Sequence, residues 1–348
     1  MKRSSFIKNS ALAAAAVALT GNNTYSASRP YIPDVIKPGR IKEGDKIGLV
    51  SPAGMLSEEE LKESVDNLTK LGFNPVPGKY VLNRNGYLAG TDKERADDLN
   101  AMFADKTIKA IVCTRGGYGA VRILPYLDFN LIKNNPKILI GYSDITILLC
   151  ALYKKTGLVS FHGPVGTSTY NDYSVNHFRN VLMAPSSNYK MENPPPAEGD
   201  EPQIYTIRSG AAEGKLYGGN LSLVASLIGT EYDADTAGHI IYLEEVGEEP
   251  YRVDRMLTQM IQAGKFEKAA GVAIGIFSKC EAKPSESGIT NSFSLREVLS
   301  DRLYPLGIPV IYGLSFGHIV NKFTIPTGIR ARLNVDDASL ILLEPAVI

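Results

Sequence analysis

Ser143, in the segment Ile140-Gly-Tyr-Ser-Asp144, has the setting of a nucleophile. An apolar run, Lys137 to Ile140, ends there, and a helical stretch, Ile145 to Lys155, begins. A serine in the tight turn between a buried strand and a helix projects its hydroxyl over the sheet edge. The N–H groups of the helix start then favour the negative charge that develops during acyl transfer. The match to G-x-S-x-G is incomplete, because Gly141-Tyr-Ser-Asp-Ile145 lacks the second glycine. A plain Ser143 or Asp144 helix cap is therefore the competing reading of the same residues. A serine mechanism needs a proton acceptor, most often histidine. The chain has four, at 162, 177, 239 and 318. His318, in Ser315-Phe-Gly-His-Ile319, reads as a loop residue after the strand Pro309 to Ile311, and His162, in Phe161-His-Gly-Pro164, follows another strand and is the rival. His177 falls in a connecting region and His239 begins a strand. An acid that orients the imidazole completes such a set. Glu244, Glu245, Glu248 and Glu249 follow the run Ile240 to Leu243, and Glu244 lies nearest the apolar residues, so it is expected to point inward. Glu248 and Glu249 suit a solvated helix entry.

The loop Arg115-Gly-Gly-Tyr-Gly119 also follows a strand. Its glycines permit close backbone approach, either as an oxyanion loop facing Ser143 or as a tight turn. A Rossmann-type phosphate loop is the poorer reading, since the G-x-G-x-x-G spacing is missing. Arg252 and Arg255 stand three apart on one helix and could hold a substrate carboxylate or pair with the glutamates.

The elements that must position these residues alternate between strand and helix. Lys46 to Val50 is a strand ending in the turn Ser51-Pro-Ala-Gly54, and Ser57 with Glu60 forms a capping box before Leu61, Val65, Leu68 and Leu71, with Gly72 as the stop. Thr91 with Glu94 repeats the box, and Ala110 to Cys113 and Leu158 to Phe161 read as further strands. This alternation predicts a mostly parallel sheet. Residues 166–203 break the rhythm with Asn, Ser, Pro and charged residues and read as an interdomain connection with at most short elements. Beyond them come Gly218-Gly-Asn220 before a helical run, a helix over Tyr251 to Ala263, a strand over Gly271 to Phe277, and two strands within Thr327 to Leu343 around a turn at Asn334 to Asp337.

The 348 residues, 44% hydrophobic and 21% charged, are ordinary globular composition and long enough for about two domains. Thirty-seven basic residues balance thirty-seven acidic ones, and no basic stripe marks a nucleic-acid footprint. Cys113, Cys150 and Cys280 show no metal spacing and read as reduced thiols. Residues 1–30 have the pattern of a secretory signal peptide: Lys2, Arg3 and Lys8, then an apolar run from Ala11 to Leu19, then Ser26-Ala-Ser28 as a cleavage region. The run is too short to span a bilayer. The expectation is an exported protein, periplasmic or associated with the cell wall, with no stable membrane insertion after leader removal.

Taken in order, the segments resemble the LD-carboxypeptidase family of serine peptidases, which includes the microcin-immunity peptidases. They are Leu49-Val-Ser-Pro-Ala-Gly54, Arg115-Gly-Gly-Tyr-Gly119, Ile140-Gly-Tyr-Ser-Asp144, Phe161-His-Gly-Pro164, Gly218-Gly-Asn-Leu221, Leu243-Glu-Glu-Val-Gly-Glu248 with Tyr251-Arg-Val-Asp-Arg-Met256, Gly317-His318 and Ile325-Pro-Thr-Gly328. The resemblance covers residues from about 40 to 343. It implies Ser143 as nucleophile, Glu244 as acid and His318 as base, with His162 in a structural role. Its oxyanion hole matches the N–H groups of Gly117 and Asp144, and Arg115 or Arg255 is the candidate for the substrate carboxylate. It also implies an α/β fold: a class I glutamine-amidotransferase-like N-terminal domain over 38–165, a connection over 166–203, and a smaller swivelling-type α/β domain over 204–348. The triad would then assemble between the domains. Family members cleave the bond between the L-centre of a diamino acid and the terminal D-alanine of peptidoglycan tetrapeptides, without metal or other cofactor, commonly as homodimers. Many are cytoplasmic, from which the leader here departs. A microcin-immunity-type peptidase acting on adenylate-like amides, and a non-catalytic peptidoglycan-binding protein, are the alternatives. The lack of Trp for ring stacking favours the muropeptide reading.

Overall fold

The computed structural model describes residues 34–195, 203–283 and 292–348; the leader expected over residues 1–30 lies outside them. Apolar runs of four to six residues, too short for helices, form the parallel strands of a first sheet. Strand β1 (Lys46–Val50) pairs in parallel with β2 (Asn74–Pro77) on one side and β3 (Ile108–Cys113) on the other. Next come β4 (Ile138–Gly141) and the two-residue β5 (Phe161–His162), also parallel. The proline-flanked β2 takes an edge, where a missing N–H is tolerated. The helices between these strands start as the sequence predicts. Ser57 and Glu60 close a capping box on α1 (Glu58–Lys70), and Thr91 and Glu94 close one on α2 (Asp92–Ala104). Short helices α3 (Ala120–Ile123) and α4 (Phe129–Asn134) follow, then α5 (Thr146–Thr156), almost wholly buried.

The region 166–203, expected to be a connection, contains a three-turn helix, α6 (Asp172–Leu182), capped by Asn171, and a strand, β6 (Tyr189–Glu192). Its buried Phe178, Val181 and Leu182 recur at helical spacing. The density of Asn, Ser and Pro masks that period in the sequence.

A second, eight-stranded sheet takes the remaining strands. These are β7 (Tyr205–Arg208), β8 (Ala211–Asn220), β9 (His239–Val246), β10 (Gly271–Ser278), β11 (Val310–Gly317), β13 (Arg330–Asn334) and β14 (Ser339–Leu342), with β6 at one edge. Strands β8, β9, β10 and β11 are parallel. Helices α7 (Leu221–Ser226), α8 (Pro250–Gln262) and α9 (Leu295–Leu303) connect them. Strand β11 extends through Gly317, so Ser315 to Gly317 are strand residues and not loop as expected.

No single boundary separates the two sheets along the chain. Strand β12 (Ile325–Pro326), within the expected second domain, pairs antiparallel with β5 of the first sheet, while β6, within the expected connection, pairs with β14 of the second. Among the described residues, no helix is long and apolar enough to cross a membrane.

One buried side chain ties the loops at the carboxyl edge of the first sheet. Arg95 of α2 is 1% exposed and donates to the carbonyls of Pro52 and Gly119 at 2.6 and 2.8 Å while pairing with Asp92 at 2.5 Å. Arg95→Met is expected to lower stability by about 3 kcal/mol, because two buried carbonyls lose their donor and a buried ion pair is broken. Urea unfolding measures it; an unchanged midpoint would show that this link carries no weight.

Candidate active site

Ser143 lies just beyond β4 and opens a 3-10 turn, Ser143–Ile145, that leads into α5. Its φ is +65°, in the left-handed region that non-glycine residues rarely enter. That conformation turns the chain sharply from strand to helix and separates a nucleophile elbow from an ordinary cap, whose backbone is extended. Asp144 does not cap its own helix. Its carboxylate accepts from the Ala120 N–H at 2.7 Å, at the start of α3, and burial pushes its pKa up to about 6. Asp144 thus fastens the glycine loop to the serine turn.

The glycine loop presses directly on Ser143. A Cβ on Gly116 would come within 2.7 Å of Ser143 Cβ, 3.0 Å of its Oγ and 3.4 Å of the Asp144 nitrogen. Gly116 therefore stands closest to the nucleophile, a role the sequence reading did not assign; adjacency to the named Gly117 was its only signal. Gly117 packs behind, on Gly54, with a φ of +127°. The Gly54 N–H donates to the Gly116 carbonyl at 3.2 Å. The turn after β1 thereby holds the loop against the serine.

Glu244 and His318 come from the second sheet. Glu244 is fully buried in β9, and His318 is the first residue past β11. His318 Nδ1 and Glu244 Oε2 are 2.8 Å apart. An ionised carboxylate only accepts, so Nδ1 carries the hydrogen and Nε2 is left as an acceptor. The Tyr142 ring, immediately before the serine, meets the His318 ring edge-on at 4.9 Å between centroids. Tyr142 thus links the two by adjacency to Ser143 in the chain and by ring contact with His318. Among the described residues no hydrogen bond joins Ser143 Oγ to His318; such bonds commonly tighten only when substrate binds.

Glu245, expected to be less inward than Glu244, is 2% exposed. Strand alternation sends the two neighbours to opposite faces. Glu245 accepts from Asn220 Nδ2 at 2.9 Å and from the Ser222 N–H and hydroxyl at 2.8 and 2.6 Å, anchoring the start of α7. Asn220 pairs in register with Glu244, and its Oδ1 is buried without a protein partner. The preceding glycines allow the close fit: a Cβ on Gly218 would strike the Tyr242 carbonyl at 1.8 Å, and one on Gly219 would strike Thr146 of α5 at 2.5 Å. Thr146 Oγ1 accepts from the Asn220 N–H at 3.0 Å, joining β8 to the helix that follows the serine.

The other expected residues are placed elsewhere. His162 is 1% exposed, sits edge-on to Tyr142, Tyr242 and Phe316, and is pulled down to about 4 by burial. Neither of its ring nitrogens has a protein partner among the described residues. His177 meets the Tyr189 hydroxyl at 2.8 Å and His239 meets that of Tyr153 at 2.9 Å, both within the core. Arg115 pairs with Glu60 at 2.9 Å, and Arg255 lies over the Tyr251 ring at 5.6 Å, while Arg252 pairs with Glu248 at 3.6 Å. All three cysteines are buried and free. Among the described residues, no group of three or more His, Cys, Asp or Glu is arranged to hold a metal. A cavity of about 750 Å³ opens beside His318, lined by Tyr205, Phe277, Lys279, Arg296 and Tyr312; that volume suits a small-molecule or peptide ligand.

Comparison with known proteins finds relatives in sequence and in fold. Residues 47–163 match the model of the LD-carboxypeptidase N-terminal domain, and residues 213–333 match that of its C-terminal domain. The chain is 36% identical over 311 residues to a probable murein peptide carboxypeptidase of Bacillus subtilis, covering 88% of this chain and 94% of the relative. It superimposes on a muramoyltetrapeptide carboxypeptidase from Oxalobacter formigenes with a TM-score of 0.74 at 31% identity, covering 85% of this chain and 97% of that one. It also superimposes on the microcin C7 self-immunity protein MccF of Escherichia coli with a TM-score of 0.81 at 27% identity, covering 90% of this chain and 100% of that one. The chain belongs to the LD-carboxypeptidase family of peptidases.

Proposed function

We propose that the protein is a serine-type LD-carboxypeptidase that removes the terminal D-alanine from murein tetrapeptides, with Ser143 as nucleophile, His318 as base and Glu244 as the acid that orients it. The observation that carries the reading is the 2.8 Å bond from His318 to the buried Glu244, with the His318 ring against that of Tyr142, the residue before a serine held at positive φ. The likeness to a murein peptide carboxypeptidase and to a muramoyltetrapeptide carboxypeptidase supports the murein substrate.

In the first step His318 Nε2 takes the Ser143 proton as Oγ adds to the carbonyl carbon preceding D-alanine. Glu244 stabilises the resulting imidazolium. The oxyanion is received by N–H groups at the Gly116–Gly117 loop and at Asp144, interactions that contribute about 3–4 kcal/mol in comparable sites. The C–N bond breaks, and the leaving D-alanine nitrogen takes the proton from His318. Water then repeats the sequence on the acyl-enzyme: His318 accepts its proton, the hydroxide oxygen adds to the ester, and Ser143 leaves with the proton returned. With Arg115 held by Glu60, Arg255 is the less engaged of the two arginines considered for the substrate carboxylate.

A second reading rests on the cavity beside His318. Its aromatic lining would accept the ring of an adenylate-like amide, the class of ligand to which the MccF likeness points. Turnover of an acyl-adenylate analogue exceeding that of the tetrapeptide would favour it.

Ser143→Ala is expected to abolish release of D-alanine from a tetrapeptide while the melting temperature holds, with mass spectrometry as the readout; turnover near that of wild type would remove Ser143 from the role. Gly116→Ala is expected to lower kcat by about 100-fold, as misplacing a reacting group by about 1 Å does, because its methyl group would come within 2.7 Å of Ser143 Cβ and displace the serine side chain. A steady-state assay on folded protein checks it, and an unimpaired variant would show that the loop does not set the position of Ser143.

A further inference from the structure

Lys322, between β11 and β12, is 5% exposed. Backbone clamps on each side aim it inward. Its own N–H donates to Ser174 Oγ of α6 at 3.0 Å, the Phe323 N–H donates to the Ser315 carbonyl at 2.7 Å, and Ser315 Oγ donates to the Asn321 carbonyl at 2.8 Å. The ammonium comes to rest 4.4 Å from the centroid of the Tyr142 ring, the same ring that meets His318 edge-on. Among the described residues it forms no salt bridge. The carboxylate whose charge it feels is that of Glu244, and Glu244 Oε1, the oxygen not bonded to His318, is buried without a protein partner. A buried cation is costly unless nearby negative charge or a ring face offsets it, and this one has the Tyr142 ring face and the charge of Glu244.

We infer that Lys322 is a positioning residue of the reaction, its buried ammonium seated on the Tyr142 ring that meets His318 and adding positive charge to the Glu244 surroundings, and so holding His318 where it accepts the Ser143 proton. The inference rests on the Ser143, His318 and Glu244 reading above.

The titratable groups that sense Lys322 are Glu244 from β9, His162 from β5 and Tyr142 past β4. Burial pulls the lysine down to about 8, with Glu244 opposing that fall. His162, pulled down to about 4, is neutral well below this range, and burial pushes Tyr142 above its usual value. Of Lys322, His162 and Tyr142, Lys322 alone changes charge near pH 8. The ammonium is charged below that pH and lost above it, so its contribution disappears as pH rises.

The test is the pH dependence of kcat and KM for tetrapeptide hydrolysis by the full chain and by Lys322→Met, Lys322→Arg and Ser143→Ala, each checked for folding by thermal melting. Lys322→Met is expected to lose at least about tenfold in kcat at pH 7 with KM within about twofold, the pattern of an interaction lost in the transition state, and to lack the alkaline fall near pH 8. Lys322→Arg is expected to keep most of the activity and to move that fall to higher pH. A Lys322→Met enzyme with wild-type kcat and pH profile overturns the inference. A change confined to KM does so too, because it would make Lys322 a substrate contact. Should Lys322→Met not fold, the arginine variant decides: an alkaline limb that stays in place overturns the inference. If Ser143→Ala is inactive, these outcomes bear on Lys322 alone; if it is active, the nucleophile assignment fails with it.

Discussion

A carboxylate with no exposure to water is the constraint around which this structure is arranged. Glu244 is fully buried, and an ionised group there is tolerated only with hydrogen bonds and opposing charge close by. His318 supplies a hydrogen bond at 2.8 Å, and Lys322 is the nearby cation. A Cβ on Gly317 would lie 3.0 Å from Glu244 Oε2, so glycine just before His318 lets the strand approach the carboxylate. The parallel pairing of β9, β10 and β11 brings both residues to the same sheet edge. A ring held on a buried anion has one free nitrogen and little rotational freedom, which is the condition for a general base.

The serine is delivered by a separate set of contacts and must be locked to the first. Two glycine pairs do this. Gly54 and Gly116 hold the loop of the first sheet against Ser143, while Gly218 and Gly219 let β8 close on Tyr242 and Thr146 at distances that no side chain permits. The second pair joins the sheets where the reaction is proposed, since Thr146 begins the helix that Ser143 introduces. The pairing of β12 with β5 adds a backbone link between the sheets a few residues beyond Lys322. With this interlocking, membership of the two sheets does not follow a single cut along the chain. A composition shift marks where regular elements thin out, whereas sheet membership is set by which edges remain unpaired.

Much of the fold is legible locally. The capping boxes at Ser57 and Thr91, the apolar runs at β1, β3, β4 and β10, and the turn between β13 and β14 all lie where short-range chemistry puts them. Helix α6 and edge strands β2 and β6 escape such a reading. Their residues are polar or proline-flanked, and long-range packing decides their form. The same contrast runs through the histidines. His162, His239 and His318 lie in or beside strands and His177 in α6, yet only His318 finds a carboxylate partner, while the other three are packed against aromatic rings.

From residue types and order alone, the sequence determined that Ser143 stands at a strand-to-helix turn, that glycines flank it in a second loop, and that acids and a histidine follow later strands. These are properties of neighbours along the chain, where period and turn chemistry act. Tertiary structure alone decided that Glu245 is buried as well and anchors the start of α7, that Gly116 presses on the serine, and that Lys322 enters the core against the Tyr142 ring. Each depends on register between strands far apart in sequence, where a shift of one residue would turn every side chain to the opposite face.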